Sequence, residues 1–208
     1  MGEEPDWRKS IMLRIGISVE GATEREFINQ LIMPYLSERD ILITPVTMNG
    51  NISLDRIRHE LLPLLGSFDI VTTFYDLYGF KRRHGQNAEQ LEQNILELVD
   101  MTRQRRLIPY IQQYEFETLV FSEPAIVANE FREASKQKQI EAIIQEAGEP
   151  EQINDGVETC PSKRIKILFP HYDKKFHGPS ICQRIGLNNI RQACPRFNGW
   201  LIRLENLT

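Results

Sequence analysis

This sequence of 208 residues has few of the features that mark membrane or secreted proteins. No apolar run approaches the roughly 18 residues that a membrane helix needs. Residues 1–11 are polar and have no apolar segment of the kind found in a signal peptide, so we expect them to form a flexible tail. The three cysteines are neither even in number nor spaced as CxxC, which predicts free thiols in a reducing compartment. We therefore expect a cytoplasmic protein.

Common cofactor motifs are also missing. The sequence contains neither G-x-x-x-x-G-K-[ST] nor G-x-G-x-x-G, so binding of ATP or NAD through those loops is not expected. The four histidines form no H-E-x-x-H pair, which argues against a zinc site of that kind. The net charge is −4, but basic clusters occur at residues 81–84, 103–106 and 162–166. A mean charge near zero does not exclude a local groove for nucleic acid.

Apolar segments alternate with amphipathic ones along the first half of the chain. The pattern predicts strands at residues 12–19, 41–48, 68–75 and 107–114, and helices after Thr23, at 54–65 and at 87–101. Strand alternating with helix at this spacing predicts parallel βαβ units and an α/β sheet with helices on both faces. The apolar run at 68–75 is typical of a strand that is buried on both sides.

The pattern changes beyond Ser122. Residues 124–134 and 136–147 are predicted to be helical, residues 162–169 are compatible with helix or strand, and residues 181–207 are mostly helical with a break at Pro195. No linker of low complexity marks a boundary. We expect one domain over residues 12–208, with a sheet core at 12–122 and a mainly helical extension at 123–208.

Acidic residues follow the predicted strands. Glu20 comes after the first strand, Asp76 after the third, and Glu115 and Glu117 after the fourth, while Glu24 lies one helical turn beyond Glu20. In an open parallel sheet, ligands bind beyond the carboxyl ends of the strands. Crowded carboxylates repel one another unless a cation neutralises them. Oxygen ligands in this number predict a site for Mg²⁺ or Mn²⁺.

The same acids have simpler explanations. Glu24 could equally serve only as a capping residue at a helix N-terminus, where carboxylates are favourable. Glu20 precedes a glycine turn and is aimed at the expected crevice, which favours a functional role. Of Glu115 and Glu117, one is expected to face the site and the other solvent, and spacing alone does not choose between them.

Several ordered blocks resemble known families. Residues 19–24 read V-E-G-A-T-E and resemble the opening V-E-G-x-T-E of TOPRIM-like proteins, including nuclease domains of the overcoming-lysogenization-defect (OLD) type. Further blocks resemble, in order, those of domain-of-unknown-function family 4276. They are F-Y-D-L-Y-G-F at 74–80, Y-E-F-E-T-L-V-F-S at 114–122, I-N-D-G at 153–156, P-S-K-R at 161–164 and C-P-R-F at 194–197. The resemblance covers the chain from Met12 onward.

The resemblance implies a TOPRIM-like (Rossmann-like) fold and a metal-dependent nuclease site. In TOPRIM proteins the Glu after the first strand is an acid/base or metal ligand, which corresponds to Glu20, and a D-x-D after the third strand holds metal, which begins at Asp76. Here Tyr78 stands in place of the second Asp. One ligand is therefore missing or comes from Glu115 or Glu117, which leaves the number of metals open.

Basic residues complete the predicted site. Lys163 is expected to stabilise the charge that develops on the phosphate during the reaction. Further basic side chains are expected to contact the substrate: Lys81, Arg82, Arg83, Arg164 and Lys174. Tyr78 and Phe80 could stack on bases or belong to the core.

Two functions of different classes remain open. The first is a metal-dependent nuclease acting on DNA or RNA; the resemblance further implies an AAA or ABC/SMC-like ATPase partner and a role in bacterial anti-phage defence. A homodimer is also possible. The second is a catalytically degenerate TOPRIM-like module that serves an ATPase complex by interaction alone, for which Tyr78 is the main indication. A small phosphorylated ligand is a weaker third reading, because separated basic patches suit an extended polyanion better.

Overall fold

The computed structural model describes residues 12–154, 156 and 159–207. The predicted N-terminal tail and Asp155 of the I-N-D-G block lie outside the described residues. Within those residues, five strands form a parallel sheet in the order β2-β1-β3-β4, with β5 pairing with β3. The strands are β1 (Leu13–Val19), β2 (Ile41–Thr47), β3 (Ile70–Asp76), β4 (Leu107–Ile108) and β5 (Ile111–Gln112).

The helical segments agree with most of the predicted helices. They are α1 (Ala22–Phe27), a π-helical turn (Ile28–Ile32), α2 (Met33–Ser37), α3 (Leu54–Ser67), α4 (Ala88–Glu97), α5 (Met101–Gln104), α6 (Glu117–Val120), α7 (Pro124–Glu130), α8 (Gln137–Ala147), α9 (Pro161–Leu168), α10 (Lys174–Ile185), α11 (Leu187–Ala193) and α12 (Pro195–Glu205), with 3-10 turns at Leu77–Gly79, Ala134–Lys136 and Pro150–Gln152. The undecided stretch at 162–169 is therefore helical. The predicted helix at 87–101 ends early, because Asp100 caps the separate helix α5 by accepting hydrogen bonds from two of its backbone amides.

The prediction of one continuous strand over residues 107–114 is wrong, because this segment forms two short strands, β4 and β5. Pro109 lies between them and has no backbone N–H to donate to the ladder. The Thr73 hydroxyl of β3 bridges the gap, since it donates to the Tyr110 carbonyl at 2.8 Å and accepts from the Tyr110 amide at 2.9 Å. Tyr114 then takes a left-handed conformation, with φ of 58°, and turns the chain away from the sheet.

Helices cover both faces of the sheet, and each face has its own apolar core. On one face Phe27 of α1 packs against Phe74 and Phe116 with ring centroids 5.7 and 5.4 Å apart, and α12 adds Phe197 and Trp200. On the other face α3 and α4 pack on a second buried cluster: Ile57, Leu61, Val71, Tyr75, Leu91 and Ile95, among others. The predicted α/β architecture, a parallel sheet with helices on both faces and a helical C-terminal part, is confirmed. Among the described helices, none is both long enough and apolar enough to cross a membrane.

The C-P-R-F block has a structural role in this architecture. The buried Glu151 carboxylate accepts hydrogen bonds from the Arg196 and Phe197 amides, at 2.7 and 3.1 Å, and so caps the start of α12. The Arg196 guanidinium pairs with Glu89 at 2.6 Å and with Glu92, both on α4. This network ties the C-terminal helices to the edge of the sheet beside β5.

Candidate functional site

Four carboxylates from separate parts of the chain meet at the carboxyl edge of the sheet. They are Glu20 after β1, Glu24 in α1, Asp76 at the end of β3 and Glu117 at the start of α6; we call them the acid cluster. The last three are 3%, 5% and 1% exposed. The Lys174 Nζ lies 3.3 Å from Glu24 Oε1, 2.8 Å from Asp76 Oδ2 and 3.6 Å from Glu117 Oε2. The predicted convergence of Glu20 and Asp76 on one crevice is therefore present in the fold.

Two glycines bring Glu20 and Glu24 into place. The Gly21 amide donates to Glu24 Oε2 at 3.0 Å, so Glu24 caps α1 with one oxygen and faces Lys174 with the other. At Gly79, an added Cβ would lie 3.0 Å from the Glu20 carboxyl carbon and still closer to Oε2. Only a residue without a side chain lets the turn after Asp76 approach Glu20 this closely.

Lys174 is fixed at the first position of α10. Asp173 caps this helix by accepting from the Phe176 amide at 3.0 Å, and the Lys174 ammonium lies 5.8 Å from the centre of the Phe116 ring. The carboxylates of Asp76, Glu117 and Glu24 hold the pKa of Lys174 well above its ordinary value, against the opposing effect of burial. Lys174, predicted from sequence as a substrate contact, therefore lies inside the acid cluster as a permanent cation.

Three carboxyl groups of the acid cluster, those of Glu20, Glu24 and Glu117, have raised pKa values. Burial is the main cause that raises the pKa of Glu20 to about 7, and repulsion by Asp76 and Glu24 adds to it. Burial likewise raises the pKa of Glu117 to about 7, with Lys174 opposing and Asp76 contributing. Burial and then Asp76 raise the pKa of Glu24. Lys174 lowers each of these values but does not offset the whole effect.

Three oxygens of the acid cluster are buried without a hydrogen-bond partner among the described residues. They are Glu20 Oε2, Asp76 Oδ1 and Glu117 Oε2. A buried polar atom without a partner costs roughly 1–3 kcal/mol, and more when it carries charge. A catalytic role or a bound ion is one explanation for buried polar atoms of this kind.

The chemistry of this donor set fits a hard divalent cation. Carboxylate oxygens are the ligands that Mg²⁺ and Mn²⁺ prefer, and Glu20, Asp76 and Glu117 each have one unpartnered oxygen. As they stand, however, the described residues include no group of three or more Asp, Glu, His or Cys side chains arranged to hold a metal. The Lys174 ammonium supplies the positive charge in this arrangement, so an ion would require the carboxylates to reorient around it.

Glu115 does not join the acid cluster. Its carboxylate accepts from the Ser162 amide at 2.8 Å and from the Ser162 hydroxyl at 3.0 Å, at the N-terminus of α9. The expectation that one of Glu115 and Glu117 faces solvent is wrong, because Glu115 is half-buried and caps a helix while Glu117 is fully buried. As predicted, one of the two, Glu117, faces the crevice.

Tyr78 faces a cleft beside the acid cluster. Its hydroxyl donates to Asn154 Oδ1, and the centre of its ring lies 5.7 Å from that of Tyr114 and 5.2 Å from the Arg83 guanidinium. The cleft has a volume of about 640 Å³, and we call it the Tyr78 cleft. Its lining includes Tyr78, Arg83, Glu115, Asn154, Ser162 and Lys163.

The other predicted basic residues lie around the site rather than in it. Lys163 is exposed in the Tyr78 cleft, whereas the Arg164 guanidinium donates to the Thr159 carbonyl at 2.7 Å within its own segment. Lys81 and Arg82 line a second cavity of about 540 Å³ at the start of α3. Phe80, considered for base stacking, is 6% exposed and belongs to the core.

With this geometry established, comparison with known proteins identifies the family. A family model described as "Domain of unknown function (DUF4276)" matches residues 19–205. The chain belongs to the DUF4276 family. No functionally curated protein matches the sequence significantly.

Solved structures show the fold that this DUF4276 chain shares. The C-terminal region of the Burkholderia pseudomallei OLD protein is 15% identical, with a TM-score of 0.52 over 93% of this chain and 97% of that one. The C-terminal region of the Xanthomonas campestris pv. campestris OLD protein is 16% identical, with a TM-score of 0.44 over 92% of this chain and 98% of that one. At 15% identity, the similarity to the Burkholderia pseudomallei region establishes a common fold alone. The chemistry has to be argued from the site.

Proposed function

We propose that this DUF4276 protein is a metal-dependent nuclease that hydrolyses phosphodiester bonds in DNA or RNA. The observation that carries the proposal is the acid cluster itself, in which carboxylates from three chain segments surround Lys174 and three buried carboxylate oxygens have no hydrogen-bond partner among the described residues. Folding alone gives no reason to keep such a cluster, since replacing buried charges by apolar residues is often neutral or stabilising. A divalent metal ion would offset the crowded negative charge.

Glu20, Asp76 and Glu117 would hold the metal ion, because each has a buried oxygen without a hydrogen-bond partner among the described residues. A bound divalent ion would neutralise charge on the phosphate and lower the pKa of the attacking water. Glu24 has a different role: one of its oxygens is occupied by the Gly21 amide and the other lies 3.3 Å from the Lys174 ammonium, which it holds in position.

Lys174 is the residue placed to bind the reacting phosphate. Its ammonium remains positively charged at any physiological pH, because the surrounding carboxylates raise its pKa. During hydrolysis the water oxygen bonds to phosphorus while the bond to the leaving oxygen breaks, and negative charge builds on the non-bridging oxygens. A fixed ammonium beside those oxygens stabilises that charge. Lys163, assigned this role from sequence, instead lies at the cleft next to the site.

The test is cleavage of labelled DNA and RNA by the purified protein with Mg²⁺ or Mn²⁺, followed on denaturing gels. We expect Glu117→Gln to abolish cleavage. The matched control is Glu97→Gln, an exposed glutamate at the end of α4 on the opposite edge of the sheet, which should cleave normally. Equal cleavage by Glu117→Gln and the wild type would contradict the proposed site.

The second candidate function is an inactive interaction module. Two observations favour it: Lys174 already neutralises part of the cluster, and Tyr78 stands where the family resemblance expects a second Asp. A titration with Mn²⁺ separates the two functions. Binding that is lost in Glu117→Gln supports the enzyme, whereas no binding at millimolar Mn²⁺ supports the module.

The family resemblance supports a wider setting for either function. We propose that the protein is a subunit of an ATPase-linked bacterial defence system, in which an AAA or ABC/SMC-like ATPase controls the nuclease. Co-expression with an ATPase encoded next to it, followed by size-exclusion chromatography, tests this. Independent elution of the two proteins, with and without ATP, would contradict the partnership.

A further inference from the structure

The Tyr78 cleft and the acid cluster share two stretches of chain. Tyr78 follows Asp76 by two residues, and Glu115 precedes Glu117 by two. A polymer whose phosphate lies at the acid cluster would therefore place its neighbouring nucleotide at the cleft.

The groups in the cleft suit a nucleotide. The Tyr78 ring lies under the Arg83 guanidinium at 5.2 Å, an arrangement that can contact the face of a base and a phosphate together. Lys163 adds a second cation to the lining of the cleft. Pockets for small organic ligands span roughly 300–1,000 Å³, and the cleft, at about 640 Å³, falls within this range.

We propose that the Tyr78 cleft binds one unpaired nucleotide next to the scissile phosphate, so that the substrate is single-stranded nucleic acid. This inference rests on the proposed nuclease function and specifies its substrate. A base held in a cleft of this size cannot remain paired and stacked in a duplex, and extracting it would cost a few kcal/mol per base. A strand that is already unpaired avoids that cost.

A second arginine, Arg105, provides the control for the Arg83 substitution. Arg105 is an exposed arginine two residues before β4, at the amino edge of the parallel sheet and opposite the acid cluster, whereas Arg83 is half-buried. Arg83→Ala and Arg105→Ala remove the same charge from the two opposite edges. Any difference in binding between them then reflects position rather than total charge.

The experiment measures binding without cleavage. Fluorescence anisotropy follows a fluorescein-labelled oligothymidylate, and a labelled duplex of equal length, binding to the Glu117→Gln protein in EDTA at fixed salt. On this background we expect Tyr78→Ala and Arg83→Ala each to weaken single-strand binding about tenfold, in line with the contribution of one base stacked on an aromatic ring. Arg105→Ala should change it less than about twofold, and the duplex should bind more weakly than the single strand.

The Tyr78→Phe variant distinguishes the contribution of the aromatic ring from that of the hydroxyl. This variant loses the hydroxyl that donates to Asn154 but keeps the aromatic surface, so it should retain single-strand binding. The inference is overturned if Tyr78→Ala binds the single strand as tightly as Tyr78→Phe, or if the duplex binds as tightly as the single strand. The binding assay involves neither metal nor cleavage, so it tests the nucleotide site separately. If the wild type cleaved no substrate but single-strand binding still depended on Tyr78, the nuclease function would be refuted and the nucleotide site would stand.

Discussion

Replacing Glu20 with glutamine should make the metal-free protein more stable while removing its activity. Glutamine has nearly the same shape, so it fits beside Gly79 where a larger side chain would not. It removes one negative charge from the acid cluster and leaves Asp76 and Lys174 paired. Gain of stability with loss of function is the signature of a residue that is kept for chemistry rather than for folding.

The size of the effect follows from the pKa of Glu20. The rise from its ordinary 4.5 to about 7 means that the folded protein resists ionisation of this group. At about 1.4 kcal/mol for each pH unit, the penalty is at most roughly 3 kcal/mol. Because the side chain is only partly buried, we expect about 1–3 kcal/mol, which for a chain of this length raises Tm by roughly 3–10 °C.

The pH dependence has a definite sign. Below pH 4.5 Glu20 is protonated in both the folded and unfolded states and contributes nothing. Between pH 4.5 and about 7 the unfolded state releases its proton while the folded state retains it, so stability falls as pH rises. Above pH 7 the penalty is constant. Glu20→Gln should therefore match the wild type near pH 4 and exceed it at pH 8.

Thermal melts in EDTA across this pH range measure the difference, with Glu97→Gln as the matched control for loss of one exposed carboxylate. Added Mn²⁺ should stabilise the wild type by mass action and stabilise Glu20→Gln less. A variant that is less stable than the wild type at pH 8 without metal would refute the reasoning, because Glu20 would then be stabilising the fold.

Three further substitutions test other parts of the site. Lys174→Met should abolish cleavage and destabilise the metal-free protein by about 3–5 kcal/mol at neutral pH, since it leaves buried carboxylates without their cation. Melts at pH 5, below the Glu117 pKa of about 7, should show a smaller loss, and an equal loss at both pH values would contradict the explanation. Glu115→Gln should cost about 1 kcal/mol in chemical denaturation, because it weakens the cap on Ser162; a fall in Mn²⁺ affinity in this variant would identify Glu115 as a ligand after all. Gly79→Ala should lower the cleavage rate and Mn²⁺ affinity by displacing Glu20; unchanged kinetics would show that Glu20 can move without consequence.

Much of the fold follows from local pattern. Uninterrupted apolar strands such as β3 can be buried only between two layers of helices, and this condition leads directly to a parallel sheet. The rule that ligands bind beyond the carboxyl strand ends then brings Glu20 and Asp76 together, and the structure places them so. Those features depend on periodicity and on strand direction, which a sequence displays.

Other features depend on contacts between distant residues. Lys174 lies 98 positions from Asp76, and no spacing rule connects them. The start of α10 is also not predicted by the sequence, because Gly178 and Pro179 are typical of a helix break. In the structure, a Cβ at Gly178 would lie 2.9 Å from the Phe116 ring, so the glycine permits close packing inside a continuous helix. Tertiary packing overrides local propensity at this point.

The choice between Glu115 and Glu117 also required coordinates. Both follow the last strand, but the left-handed turn at Tyr114 sends Glu115 towards the start of α9, and α6 then begins with Glu117 facing Lys174. A tyrosine with positive φ is rare enough that sequence reasoning has no basis for expecting it.

The central claim is that the acid cluster holds a divalent metal for phosphodiester chemistry. The most direct measurement is the anomalous difference map of a crystal of this protein soaked in Mn²⁺. The account predicts a peak within coordination distance of Asp76, Glu117 and Glu20, with Asp76 turned from Lys174 towards the ion and the Lys174 ammonium still held by Glu24. Full Mn²⁺ occupancy elsewhere, with no peak in the cluster and Lys174 still paired to Asp76, would contradict it.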